Sequence, residues 1–358
     1  MRRIDSLLSY TFSHFCVDFA CFYVAYSYVY ANFDLYVCAL FFFAYNVLAF
    51  GLQAVIGYFC DTHESFPAGI VGCGIVFVSL FLFFTPILAI LISGLGNAFF
   101  HVGGGIDSLK NAEGKMARSG VFVSSGALGV TLGTIYGMGN YSVILPICLL
   151  FLSAVCMFVF AESKGAREAT SQMDFVYKDF NFGKNASFTA GILLACGTIF
   201  VRCFAGYLIP LGWYDNSVLL LAVAYGGSAM LGKAAGGFIG DRFGGCKSLV
   251  SLLILSVPFL MFGGGNMAIS LVGVFLFNTS MPITLCVIFS RLHKNAGLSF
   301  GISTLALLIG TFPAVFGLTT IISSAVVLPI VVALSAVCLY FATAGKSNKK
   351  SELDMNLY

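Results

Sequence analysis

Charged side chains are scarce in this sequence. Asp, Glu, Lys and Arg together make up 9% of its 358 residues, where a soluble domain carries about 25%. So few charges cannot cover a water-facing surface, and no polar stretch is long enough for a separate soluble domain. A nucleotide-binding loop is missing as well: Gly103-Gly104-Gly105 is not followed by Lys and Ser or Thr, so direct use of ATP is not expected. The 12 cysteines show no ligand-type spacing. Cys21, Cys38, Cys73, Cys148, Cys156 and Cys338 fall inside apolar runs, where they read as small buried hydrophobes. No metal cluster, cofactor motif or nucleophile–base pair with diagnostic spacing is present in the pattern, and no nucleic-acid partner is expected.

What the sequence does hold is apolar. It is 59% hydrophobic and 15% aromatic, with a mean hydropathy of +0.98. A helix needs about 20 mostly apolar residues to cross the hydrocarbon core. Twelve such runs are read, at 6–30, 36–59, 67–85, 87–108, 118–138, 141–161, 187–210, 217–239, 247–264, 267–290, 297–319 and 324–344. Arg2-Arg3 and the apolar run from Leu7 resemble a signal peptide, yet there is no small-residue cleavage site. A retained first helix is expected.

The basic residues test that count. Arg2 and Arg3 precede span 1; Lys110, Lys115 and Arg118 lie between spans 4 and 5; Lys164, Arg167, Lys178 and Lys184 lie between 6 and 7. Arg242 and Lys247 join 8 to 9, Arg291 and Lys294 join 10 to 11, and Lys346, Lys349 and Lys350 follow 12. The loops of opposite parity, at 31–35, 86, 139–140, 211–216, 265–266 and 320–323, contain no Lys or Arg. Positive charge is held on the cytoplasmic side, so both termini are expected there, and an error of one span would destroy the alternation. Short loops suit a bacterial inner membrane.

An internal repeat is visible. A shift of 180 residues lays Gly57-Tyr58-Phe59-Cys60-Asp61 on Gly237-Phe238-Ile239-Gly240-Asp241, with Ala54 on Ala234. A shift of 181 lays Gly120 and Gly129 on Gly301 and Gly310. The expected fold is therefore an all-α integral membrane protein, twelve helices in two pseudo-symmetric halves. Residues 1–161 and 187–345 form the halves, 162–186 a cytoplasmic linker, and 346–358 a cytoplasmic tail. Such halves are related by an axis along the membrane normal and enclose a substrate near the midplane.

At these loops the chain resembles the major facilitator superfamily. Gly237-x-x-Gly240-Asp241-Arg242-Phe243-Gly244 is similar to its loop signature, while the first copy, Asp61-Thr62-His63-Glu64, lacks the basic residue. In span 5, Gly120, Gly129, Gly133, Thr134 and Gly137 resemble the antiporter motif, with Thr134 in place of the usual proline and Met138 in place of the last glycine. These glycines make a smooth face for a neighbouring helix. Within the superfamily the chain resembles the fosmidomycin-resistance-like exporters. His14-x-x-x-Asp18, Tyr45-Asn46 with Gln53, Phe99-Phe100-His101 and Met281-Pro282-Ile283-Thr284 carry that likeness. Val102-Gly103 departs from it, where that group often has a Pro-acid pair. The resemblance implies the major facilitator fold and transport by alternating access.

Charges inside the hydrocarbon are costly and usually face a cavity or a partner. His14 and Asp18 are four apart and share a helix face. Burial and a neighbouring carboxylate act on an imidazole in opposite senses, a balance that can place proton exchange near neutral pH; a fixed structural hydrogen bond is the rival. Arg202, mid-span 7, has no acidic residue within four positions. Asp18 is its expected partner, because spans 1 and 7 are equivalent in the two halves. Its roles divide between releasing Asp18 on protonation, clamping an anion and a purely structural ion pair. His101 reads equally as a substrate contact or a packing histidine. Lys233 is expected to snorkel to the cytoplasmic end, and Asp107 to lie at the interface. Asn46, Gln53, Asn97, Asn278 and Thr279 are candidates for lining a cavity, against helix-to-helix hydrogen bonding. Pro282 and Pro313 read as mid-helix breaks, either hinges or static kinks.

The resulting expectation is a monomeric secondary transporter moving a small organic solute outward by proton antiport, with protons and membrane lipid as its other partners. Coupling would fall to Asp18, His14 and Arg202. The rivals are uptake of an organic anion held by Arg202, and a membrane-embedded enzyme or receptor. For the enzyme, no Asp-x-x-Asp pair near an interface is evident.

Overall fold

The computed structural model describes residues 2–161, 187–292, 295–321 and 324–343. The expected linker at 162–186 and tail at 346–358 lie outside the described residues. Within them, all regular structure is helical. Ten helices are long and apolar enough to span a membrane. They are α1 (Ile4–Tyr30), α2 (Leu35–Thr62), α4 (Pro86–Lys110), α5 (Met116–Met138), α7 (Phe188–Gly206), α8 (Leu219–Phe243), α9 (Gly245–Phe262), α10 (Met267–Arg291), α11 (Ala296–Val315) and α12 (Ala325–Thr343). The shorter apolar helices α3 (Ala68–Ser79) and α6 (Ile144–Phe160) complete the expected twelve.

The largest boundary difference is in α3. The apolar run continues to 85, yet the helix stops at Ser79. The amides of Leu80, Phe81 and Leu82 bond to the carbonyls of Phe77, Val78 and Ser79, each three residues back, which tightens and closes the last turn. Thr85, ahead of Pro86, then takes φ −130°, because a residue before proline avoids helical geometry. Two prolines also differ from each other. α10 is broken at Thr279-Ser280 just before Pro282, which has no N–H for the helical ladder. Pro313 instead lies near the end of α11, which runs to Val315, and is no mid-helix break.

Within the first half α1 packs on α5, α6 and α4, and α3 on α4; within the second, α7 packs on α12 and α11, and α9 on α10. Across the halves, α5 meets α8 and α2 meets α11. Lipid tails are as apolar as leucine, so these contacts depend on close packing and polar bonds rather than on water exclusion. Large apolar side chains such as Leu35, Phe151, Phe158, Leu220 and Phe262 cover the outside.

The repeat read in the sequence has a physical counterpart at the end of the bundle that carries the basic loops. Asp61, ending α2, accepts hydrogen bonds from the backbone N–H groups of Gly297 and Leu298 at the start of α11, both at 2.8 Å. Asp241, near the end of α8, accepts from Met116 and Ala117 at the start of α5, at 2.7 and 3.0 Å. The first N–H groups of a helix have no partner of their own, and the helix dipole favours a negative charge there. A Cβ on Gly57 would collide with the Gly297 carbonyl, and one on Gly237 with the Ala117 backbone. Each half thus clasps the other by a glycine for approach and an aspartate for capping. Gly244, at φ +85°, ends α8 in a left-handed turn that a side chain would disfavour, which lets α9 start at once.

Candidate functional site

Three buried ionisable groups meet between α1 and α4. His14 and Asp18, one turn apart on α1, face each other with Nε2 to Oδ2 at 3.2 Å. His101 of α4 places its Nε2 at 2.9 Å from His14 Nε2 and 3.7 Å from Asp18 Oδ1. Asn97, one turn before His101, donates from Nδ2 to Asp18 Oδ1 at 3.0 Å. The two imidazoles lie edge to face at 87°. His14, Asp18, His101 and Asn97 are all less than one-tenth exposed.

The far side of each ring fixes where its hydrogens sit. His14 Nδ1 is 2.7 Å from the Phe122 carbonyl, and His101 Nδ1 is 2.9 Å from the Asn97 carbonyl. A carbonyl only accepts, so each Nδ1 carries a hydrogen and donates it. Were both rings neutral, the two Nε2 atoms would present lone pairs to each other. Their separation of 2.9 Å is a hydrogen-bond length, which a proton shared between them would satisfy. One imidazolium beside the Asp18 carboxylate leaves the group neutral overall, the form in which buried charges are tolerated. The three ligand atoms lie within 4.8 Å of one another, a set that could also hold a metal ion. That set escaped the sequence reading because 87 residues separate the two histidines. Two nitrogens on a tetrahedral metal at about 2.0–2.1 Å would sit about 3.3 Å apart, so the observed spacing fits a proton better.

α5 closes this site. A Cβ at Gly129 or Gly133 would meet the backbone of Phe15 or Phe19, and one at Gly126 would strike His14 Nε2 and Asp18 Oδ2. Of the glycines read as a motif, Gly129, Gly133 and Gly137 form the surface on which α5 lies against α1, whereas Gly120 faces Lys233 and Gly237 of α8 and Pro282 of α10.

Arg202 of α7 is not joined to Asp18 by an ion pair, contrary to the expected pairing; the histidines and Asn97 take up that carboxylate. Arg202 is 4% exposed, its Nε has no hydrogen-bond partner, and its Cζ lies 6.0 Å from the Phe277 ring centre. It borders a cavity of about 70 Å³, walled mainly by the second half: Thr284 and Leu285 of α10 and Phe300, Ser303 and Thr304 of α11, with Val123 of α5 reaching in from the first. Lys233 of α8 is partly exposed, and its charge is felt at Arg202, Asp18 and His101.

The other candidates do not converge. Asn46, Gln53 and Asn278 each donate to the carbonyl four residues back on their own helix, those of Phe42, Ala49 and Val274. Thr279 donates to Leu276. Asp107, near the end of α4, accepts from Ser6 and Asn111. Sequence reasoning missed Gly126, Phe122 and the Ser303-Thr304 pair. Phe122 had no signal at all, since its carbonyl is what matters.

No protein-family model and no curated protein sequence matches the chain. Solved structures do. The human organic anion transporter MFSD10 (TETRAN) is similar with a TM-score of 0.69 at 13% identity, over 94% of this chain and 99% of that one. A bacterial homologue of the iron transporter ferroportin, in its outward-facing state, has a TM-score of 0.60 at 13% identity, over 96% and 98%. FucP, a major facilitator superfamily transporter in the outward conformation, has 0.50 at 13%, over 94% and 98%. All three are membrane transporters and none is an enzyme. At such identity the likeness shows the fold, and the fold is that of the major facilitator transporters.

Proposed function

We propose that this protein is a secondary transporter that exports a small organic solute in exchange for protons, by alternating access of its two halves. The observation that carries this is the 2.9 Å approach of His14 Nε2 to His101 Nε2 beside Asp18. A buried group that is neutral only with one proton added is suited to taking a proton from one face and giving it up on the other. Asp18, His14 and His101 are its coupling residues. Arg202 acts on the substrate side rather than as the partner of Asp18. The mutual clasps of Asp61 and Asp241 support an interface that opens and closes as a unit. Residues 1–161 and 187–345 are taken as the moving bodies, with both termini in the cytoplasm of a bacterial inner-membrane host, and the monomer as the working unit. The short matches around His14, Gln53, His101 and Pro282 favour the fosmidomycin-resistance-like group.

The test uses purified protein in proteoliposomes, with a solute chosen from a thermal-shift screen of metabolites and antibiotics. An imposed pH gradient should drive accumulation, and Asp18→Asn should abolish it while leaving solute-for-solute exchange. Accumulation that ignores the gradient, or that survives Asp18→Asn, would remove the proton from the mechanism.

A further inference from the structure

We infer that the Arg202 chamber is an anion site, and that the transported solute is an organic anion with one charged group on an apolar body. The inference deepens the transport reading above and depends on it for the word transported, though the binding site can be tested alone. Arg202 is buried, cannot shed its charge and, among the described residues, has no ion pair. Asp18, the acidic group expected to serve it, is bonded to His14, His101 and Asn97. Lys233 adds a second cation within electrostatic range of Arg202. With the His14–Asp18–His101 group neutral in its singly protonated form, the two cations leave the centre of the bundle positive. A lone buried charge of this kind is strongly unfavourable until something compensates it. The cavity beside the guanidinium is where a compensating anion fits.

The walls narrow the class of anion. Val123, Leu285 and Phe300 are apolar. The three hydroxyls present, those of Thr284, Ser303 and Thr304, donate to the carbonyls of Met281, Phe300 and Gly301 on their own helices. Within this lining Arg202 is thus the group with donors free for a ligand. A sugar or other polyhydroxylated solute would lose its water contacts without replacement. A carboxylate or phosphonate on an aliphatic or aromatic body would keep one strong, charge-assisted contact and bury its remainder against the apolar wall.

Binding is measured by isothermal titration on the detergent-solubilised full chain, with 4-phenylbutyrate and phenylphosphonate as probes and 4-phenylbutyramide as the uncharged control. Both anions should bind and the amide should bind at least tenfold more weakly. Arg202→Gln should remove that preference for charge, whereas Arg202→Lys should keep it but weaken phenylphosphonate more, since an ammonium loses the two-pronged contact. Thermal melting of each variant checks that it is folded; if Arg202→Gln is not, Lys233→Gln is used and should lower anion affinity by a smaller factor. Equal binding of amide and acid, or anion affinity unchanged in folded Arg202→Gln, would overturn the site. Asp18→Asn separates the two proposals. Anion binding that persists there while gradient-driven transport is lost supports both. Anion binding with transport indifferent to pH sinks only the proton.

Discussion

The missing side chain of Gly126 leaves room for the His14–Asp18 face to meet His101. The glycine was not among those singled out in span 5, where the reading followed Gly120, Gly129 and Gly133. A Cβ there meets Nε2 and Oδ2 directly, and forcing an extra carbon into a packed interior costs about 1–3 kcal/mol. Gly126→Ala is therefore expected to abolish pH-driven transport while the protein still folds. Gly206→Ala and Gly227→Ala, where an added Cβ meets nothing within 4 Å, should transport normally. Equal activity in all three variants would show that the packing around the histidines is irrelevant to coupling. The same residues mark what the sequence could reveal. His14 and Asp18 were legible as a pair, because four residues always bring two side chains to one face of a helix. His101 was legible only as a lone buried histidine, since nothing along a chain says which face of α4 will meet α1. Arg202 was assigned to Asp18 by symmetry of position, a guide that ignores the nearer bonds available to the carboxylate.

Helix by helix, the chain was easier to read. Apolar runs and the one-sided placement of basic loops fix where spans lie, because lipid and membrane charge act on every residue without regard to tertiary packing. α3 alone ended well short, where local turn geometry ahead of Pro86 overrode hydrophobicity. The matched Gly and Asp of α2 and α8 were legible as a repeat but not as clasps, because the amides they cap carry no side-chain signature. Hydrogen bonds to a charged group contribute about 1.5–3 kcal/mol when broken outright, and asparagine keeps one acceptor oxygen. Asp61→Asn together with Asp241→Asn should shift the balance toward opening by about 1–2 kcal/mol, a factor of about 5–30. An engineered thiol, Met116→Cys, reports it: Met116 is 1% exposed and its side chain packs on Gly240 and Gly245 across the interface. Its maleimide labelling, read by mass spectrometry, should accelerate by that factor in the double variant. An unchanged rate would mean that the clasps do not hold the halves shut.

For the molecule as a whole, the two candidate sites are joined by one aromatic step. Phe122 accepts from His14 through its carbonyl, and its ring lies 6.1 Å from that of Phe300, which lines the Arg202 chamber. A shift of α5 at Phe122 would thus be felt by both occupants, a route by which proton and solute can exclude or favour each other. The overall fold was legible because it is written in composition and repeated loops. The meeting of α1, α4 and α5 was not, because it depends on contacts between residues far apart in the chain.

The clasps also supply a clock. The backbone N–H groups of Met116, Ala117, Gly297 and Leu298 sit at helix beginnings, where no carbonyl of their own helix can shield them, so only the facing carboxylates protect them. In heavy water those four hydrogens should wash out together, once per parting of the halves, at a pace set by how often the carrier turns over. A solute that speeds the cycle would speed their loss, and a ligand that stalls it would preserve them.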